Sequence, residues 1–337
     1  MRDDADREPQ RVTIRPPDGD DPVAGVTETD AARHAERYPY LLVRGPLFGI
    51  AEQRQGDAPR WRLRCDMDTG MPQHARDSLQ SRLWFSARDD AVDRGHRRRL
   101  LAAVALLERE PVDEVGVGDV RYRIVRADEF TRTDGRRPEP PRPTDPDSDG
   151  WERADAAPSR THGFVIDPDA ASGPAEGLLR IALHDFAYTS ARYPRRVRGD
   201  SRAAVDSHPG VVILPAAFRV LQEREETWSM LGGQHSTPQQ ARRLLADFLT
   251  NTHGFPPPLG PPEEDAEVCR RAADGFRRGN RVDELEVCGQ RYLIVRVERM
   301  MRIGPDGPEP PRPSDVDDYG PGRLHPAMDS DGTVTPG

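Results

Sequence analysis

Lysine is absent from these 337 residues: all 49 basic positions are arginine. A phosphate cradle of the GxxxxGK[ST] type is therefore excluded, because its lysine is the group that reaches the β- and γ-phosphates, and no GxGxxG follows a strand-like run. Codon usage in a GC-rich genome accounts for the bias without any phosphate-binding logic. Cysteine is scarce too. Cys65, Cys269 and Cys288 are an odd number without close spacing, which speaks against a disulfide framework and for a reducing compartment. There is no CxxC, no HxxxH pair, and no Cys and His within four residues of each other, so the paired spacing of a zinc site is missing. GxSxG and SxxK are missing as well. No apolar run reaches the ~18 residues of a membrane span, and residues 1–10 are polar and acidic, unlike a signal peptide. The 58 acidic residues outnumber the basic ones and leave a net charge of -9, a balance unlike that of a generic polyanion binder. The expectation is a soluble, cytoplasmic protein with no metal, no organic cofactor and no assignable catalytic residue.

What is present is a repeat. Residues 112–145 align without a gap to residues 282–315 at an offset of 170, with 17 identities in 34 positions that include the whole of PEPPRP. Pro39 and Phe48 match Pro209 and Phe218 at the same offset, and PQHAR from Pro72 matches PQQAR from Pro238. A period this long indicates whole domains in tandem rather than a solenoid. Each copy reads in the same order. Strand-like runs at 40–51 and 61–65, or 211–222 and 228–231, come first. A helix follows, opened by Pro72 or by Thr237 and Pro238, since proline at the first helical position gives up no intrahelical hydrogen bond. Then come a second helix, at 97–109 or 263–276, and a closing hairpin at 114–130 or 284–300. The predicted fold class is α+β: two tandem, sequence-related domains, each of strands, two helices and a closing β-hairpin, packed as a pseudo-symmetric pair.

The expected organisation is a disordered arm at 1–20, repeat domains at 21–132 and 208–303, and a Pro/Asp-rich linker at 133–160. An ordered connecting segment at 161–207 either completes the first sheet or bridges the domains. A proline-rich exit and disordered tail fill 304–337. The runs DDPVAGVTETDAARHAERYP from Asp20, RGPLFGIA from Arg44, MPQHARDSL from Met71, YRIVRADEF from Tyr122 and PEPPRPTDPD from Pro138 resemble an actinomycete, Streptomyces-type protein family catalogued only as a domain of unknown function. The resemblance implies a bacterial protein of unassigned role and supplies no activity or site residue.

Several motifs can be weighed against plainer readings. Asp145, Asp147, Asp149 and Gly150 match the first six positions of a calcium loop, but its twelfth position is Ala156 instead of a bidentate Glu. Asp329–Gly332 in the tail fails likewise. His184 and Asp185 are read as strand neighbours pointing to opposite faces, which leaves them unable to hydrogen-bond to each other. His162, His208 and His253 read as structural or surface residues. Arginine clusters around Arg94, Arg97–Arg99, Arg192–Arg198 with Tyr193, and Arg270–Arg278 lie among carboxylates, as solvated ion-pair faces do, so nucleic acid is disfavoured. The two PEPPRP segments, with Pro138, Pro141, Arg142 and Pro143 and with Pro308, Pro311, Arg312 and Pro313, have the PxxP form that SH3-like grooves recognise; the plainer role is to brace the segment's own domain or stiffen its exit. Tyr122 and Arg126, with Tyr292 and Arg296, share equivalent strand faces and would form an anion-accepting cleft if the copies meet about a twofold axis. The plainer alternative pairs each Arg with its own Glu139 or Glu309, or with Asp113 or Asp283.

These readings favour a non-catalytic binding or scaffold protein that acts through the groove between two domains, with another protein or a small anionic ligand as partner. The rivals are a hydrolase or transferase with its site at the interdomain interface, and a nucleic-acid-associated protein using the Arg clusters.

Overall fold

The computed structural model describes residues 12–16, 21–147, 158–224, 227–250, 263–279 and 281–335. Among them the chain is mixed α+β, with seven α-helices and one ten-stranded antiparallel sheet. Helix α1 (Pro22–Arg37) precedes β1 (Tyr40–Arg54) and β2 (Trp61–Leu63). The hairpin of α2 (Pro72–Asp89) and α3 (Arg94–Leu107) follows, then β3 (Glu114–Val117) and β4 (Val120–Thr133). After β5 (Val165–Ile166) and α4 (Pro174–Leu183), the order repeats as α5 (Arg195–Ser207), β6 (Gly210–Arg224), β7 (Thr227–His235), α6 (Pro238–Leu249), α7 (Ala266–Arg277), β8 (Glu284–Val287) and β9 (Gln290–Gly304). Strands β10 (Gly307–Pro308), β11 (Ala327–Met328) and β12 (Val334–Thr335) end the described chain.

The sheet runs β5-β2-β1-β4-β9-β6-β7, so a single sheet passes through both halves. At its centre β4 and β9 pair antiparallel through Asp128↔Met300, Glu129↔Arg299 and Phe130↔Glu298. Strand alternation sends residues of opposite parity to opposite faces. On one face Phe48, Ile50 and Ile124 pack under α2 and α3, while Phe218, Val220 and Ile294 pack under α6 and α7. On the other, Val125 and Ala127 of β4 meet Met301 and Ile303 of β9 around Trp61 and Leu63. Each such fully buried side chain is worth about 1.5–3 kcal/mol.

The helix starts follow the sequence cues. Pro72 and Pro238 sit in the first turns, and Thr237 and Gln240 form a reciprocal capping box. Helix α1 has a start of the same kind, an Asp21 cap ahead of Pro22, but with Ala31 its only buried residue it lacks an apolar face; Glu28 ties it to α4 by accepting the Ala175 amide. The connecting segment completes the sheet: Trp61 pairs with Ile166 at its edge, and 174–183 is helical.

The expectation of a disordered tail does not hold for 304–335. The chain turns at Gly307, whose φ is +115° and where a Cβ would lie 2.3 Å from Trp61 Nε1, and β10 pairs back on β9. Beyond it the tail lies along α2, where Gln80 donates to the Gly322 carbonyl, Trp84 Nε1 donates to that of Pro326, and His325 stacks on Trp84 at 4.7 Å. The tail satisfies the polar side chains on this face of α2, so it needed no apolar signal. Of the expected arm, 12–16 are described, with Ile14 bridging Ser172; of the linker, 148–157 lie outside the described residues.

Candidate functional site

The two PEPPRP segments enter the seam between β4 and β9 from opposite ends. Glu139 donates its amide to the Arg132 carbonyl of β4 and accepts the Arg296 amide of β9. Glu309 donates to the Arg302 carbonyl of β9 and accepts the Arg126 amide of β4. Each segment thus forms backbone bonds to both halves. The first also holds its own half, where Glu139 meets His34 of α1 at 3.0 Å and Thr144 donates to Asp30 at 2.6 Å, and both segments reach across to the opposite one. Asp315 meets Arg126 at 3.0 Å, and Asp317 meets Arg76 of α2 at 2.7 Å. Reciprocally, Asp145 meets Arg296 at 3.1 Å, and Asp147 meets Arg242 of α6 at 3.0 Å. The segments therefore brace more than their own domain, since each ties the two halves together. Pro138 and Pro308 are buried, Pro141 and Pro311 half-buried, and only Pro143 and Pro313 exposed, so PxxP is not presented as a free rod. Arg142 and Arg312 are held by Glu139 and Glu309, each at 2.6 Å.

The anticipated cleft of Tyr122, Arg126, Tyr292 and Arg296 is not assembled. Tyr122 lies against the α2/α3 core and Tyr292 within the α6/α7 core. Arg126 is 2% exposed and closed by Asp128 and Asp315; Arg296 is closed by Glu298 and Asp145. Neither Arg takes the partner anticipated for it: Asp113 and Asp283 bind Arg76 and Arg242. Burial alone would raise the Glu139 carboxyl, but hydrogen bonds from His34 and Arg142 outweigh it and bring it down to about 2. Burial and the neighbouring Asp128 push the Tyr188 hydroxyl up, and that hydroxyl donates to Asp128 at 2.6 Å.

On the opposite face, over the same central pair, the balance differs. Glu129, 1% exposed, accepts Nε of Arg219 at 2.9 Å and Nη1 of Arg44 at 3.0 Å. Arg299, its cross-strand neighbour, is 2% exposed and donates to Gln234 Oε1 at 2.9 Å and to the Pro215 carbonyl. Among the described residues no carboxylate lies within ion-pair distance of it, and its Nε has no acceptor. Burial draws the guanidinium down to about 10 despite Glu129. His235, which pairs with Phe218 across β6 and β7, has its Nε2 unsatisfied, and burial with Arg219 nearby holds the imidazole down to about 4. Exposed Asp66 and Asp68 form the rim, and burial of its surroundings and Asp66 raise the Asp68 carboxyl. The available signal for this cluster was in the sequence repeat: Glu129 and Arg299 stand 170 residues apart, the offset of the repeat, with opposite charge.

His184 Nδ1 and Asp185 Oδ1 are 2.7 Å apart, a correction to the strand reading: they end helix α4, where neighbouring side chains do not alternate across a sheet. Asp185 is exposed, and the His184 carbonyl accepts from Arg302. Asp145 and Asp147 of the calcium-like run are ion-pair partners, and its remainder lies outside the described residues, as does His253. Arg192 stacks on Tyr193, Arg270 pairs with Glu267 and Arg277 with Asp274. Among the described residues no group of three His, Cys, Asp or Glu could hold a metal ion, and no helix is long and apolar enough to cross a membrane. Residues 21–318 match a family of unknown function (DUF5954). No curated protein and no solved structure matches the chain.

Proposed function

Since the chain belongs to the DUF5954 family, for which no function is known, we propose a role from its own geometry: a non-catalytic binding protein that takes a small anionic ligand at the seam between two related halves. The pairing at the seam supports the duplication. Exchanging residue n for n + 170 turns Asp128↔Met300 into Glu298↔Phe130 and Glu129↔Arg299 into itself, as a pseudo-twofold axis through that pair requires. Strands β1 and β6, at 40–54 and 210–224, and the hairpins at 114–117 and 284–287 keep the same offset. In this reading the domains at 21–132 and 208–303 are fused copies, and the exits at 133–147 and 304–318 are exchanged arms that clamp them. A cytoplasmic location fits three cysteines that carry no disulfide.

The observation that carries the ligand reading is the charge of Arg299. A buried guanidinium without a carboxylate costs several kcal/mol, which a bound oxyanion would offset. Arg299 and Arg219 supply charge, while Gln234, which accepts from Arg299, holds that guanidinium in place. The acidic rim of Asp66 and Asp68 repels a polyanion and favours a small ligand bearing one phosphate or carboxylate. Thermal unfolding of the full chain with inorganic phosphate, sulfate and small carboxylates tests this. A saturable rise in melting temperature is expected with at least one class. In Arg299→Gln the rise should disappear, although the variant itself stays folded because it removes an unpaired charge. No shift with any anion, or an equal shift in the variant, would reject the site.

A further inference from the structure

The two cysteines of the second half lie against each other in a way that neither packing nor turn geometry asks for. Cys269 of α7 is 1% exposed, and its Sγ is 3.9 Å from that of Cys288. Cys288 stands at the tip of the β8–β9 hairpin, partly exposed, with φ +51°, ahead of Gly289 at φ +69°. Both residues of this two-residue turn therefore adopt left-handed backbone, which the mirror-image hairpin turn requires and which glycine or asparagine takes most easily. Cys288 is the only residue other than glycine with positive φ among those described. The equivalent hairpin of the first half has Gly118 there, 170 positions earlier, at φ +64°. At the same offset Arg99 stands on α3 in place of Cys269, its Nε 3.9 Å from where a Cβ on Gly118 would lie. A cysteine therefore replaces the easier residue at the turn, and a second cysteine faces it from the helix.

We propose that Cys269 and Cys288 are a redox modification site, converted by a peroxide into an intrachain disulfide that ties α7 to the β8–β9 hairpin. Cys288, the partly exposed member, is oxidised first: its sulfur attacks the peroxide, takes one oxygen as a sulfenic acid, and releases water from hydrogen peroxide. The Cys269 sulfur then attacks the Cys288 sulfur, forming the S–S bond and expelling the second oxygen as water. In sum two thiols and one hydrogen peroxide give one disulfide and two waters. Burial and, after it, Asp265 at the start of α7 disfavour the Cys288 thiolate, so the site responds to sustained oxidation rather than to trace peroxide. Cys65 takes no part. It lies in the first half, where its Sγ accepts the Ile50 amide at 3.1 Å.

The test uses the full chain under native conditions. After hydrogen peroxide treatment, two of the three thiols should be lost, and the intact monomer should be lighter by two hydrogen atoms. Digestion should yield one linked peptide pair containing Cys269 and Cys288, and reduction should reverse the change. The closed loop is short, so the melting temperature should rise by roughly 5 °C. Cys288→Gly suits the left-handed turn and keeps the fold; it should retain Cys65 and Cys269 as thiols under the same treatment. Retention of all three thiols in the wild type, dimers linked through Cys288, or oxidation of Cys288 to the sulfinic acid without a linked pair would each overturn the proposal.

Discussion

His235 and Glu139 tie stability to pH in different windows. For His235 the native imidazole is held at about 4 by burial and Arg219, against an ordinary value of 6.5. Between those values the unfolded chain binds a proton that the folded chain does not. Stability must therefore fall as pH drops from about 6.5 toward 4. For Glu139 the native carboxyl lies at about 2 against an ordinary 4.5, so its contribution is whole above 4.5 and is lost as pH falls toward 2. With the side chain 1% exposed, that contribution is on the order of 3 kcal/mol. Urea unfolding at pH 7, 5 and 3 separates them. His235→Gln should flatten the change between pH 7 and 5, while Glu139→Gln should weaken the protein at pH 7 and flatten the change between 5 and 3. A wild-type midpoint that does not move between pH 7 and 3 contradicts both assignments.

At the scale of elements, the tail from 316 onward is as much part of the fold as the helix beneath it. Asp317 accepts the Gln73 amide at 2.5 Å and pairs with Arg76, and Tyr319 donates to Asp77 at 2.6 Å. Deleting 316–337 would leave Arg76 with Asp113 alone and strip the partners of Gln80 and Trp84. Two or three buried groups losing partners at about 1–3 kcal/mol each predicts a loss of roughly 3–5 kcal/mol. Trp84, now 5% exposed, should shift its fluorescence to the red. Unchanged emission and unfolding midpoint would show that the tail merely rests on α2. The same region marks where sequence reading stops. Helices α2 and α6 were legible because Ala75, Leu79 and Leu83, or Ala241, Leu245 and Phe248, repeat at helical spacing behind a proline start. Helix α1 and the tail were not, since both are held by capping carboxylates, carbonyls and ion pairs, which leave no periodicity. The Arg126 and Arg296 faces were legible from strand alternation. Their partners were not, because Asp315 and Asp145 reach them from the opposite half, a contact that only the three-dimensional exchange of arms creates.

For the whole molecule, the duplication we propose makes the charge at the central pair the selector of which halves associate. The β4–β9 register is symmetric under the 170-residue exchange, and so are the arms, with Asp315 on Arg126 mirrored by Asp145 on Arg296. Geometry alone would therefore allow a half to pair with a second copy of itself. The charges at the central pair forbid this, because a first half meeting itself places Glu129 against Glu129, and a second half places Arg299 against Arg299. Like charges buried a strand spacing apart cost several kcal/mol, so these two positions select the mixed pair. Cutting the chain within 148–157 and co-expressing the pieces should return a one-to-one complex with the unfolding behaviour of the intact chain, while each piece alone should be unfolded or aggregated. Glu129→Arg in the first piece should abolish the complex, and adding Arg299→Glu in the second should restore part of it. The restoration stays incomplete because Arg219 and Arg44 also rely on Glu129. If Glu129→Arg leaves assembly intact, or if the first piece forms a stable folded dimer by itself, the central charges do not choose the partner, and selectivity would have to come from the arms.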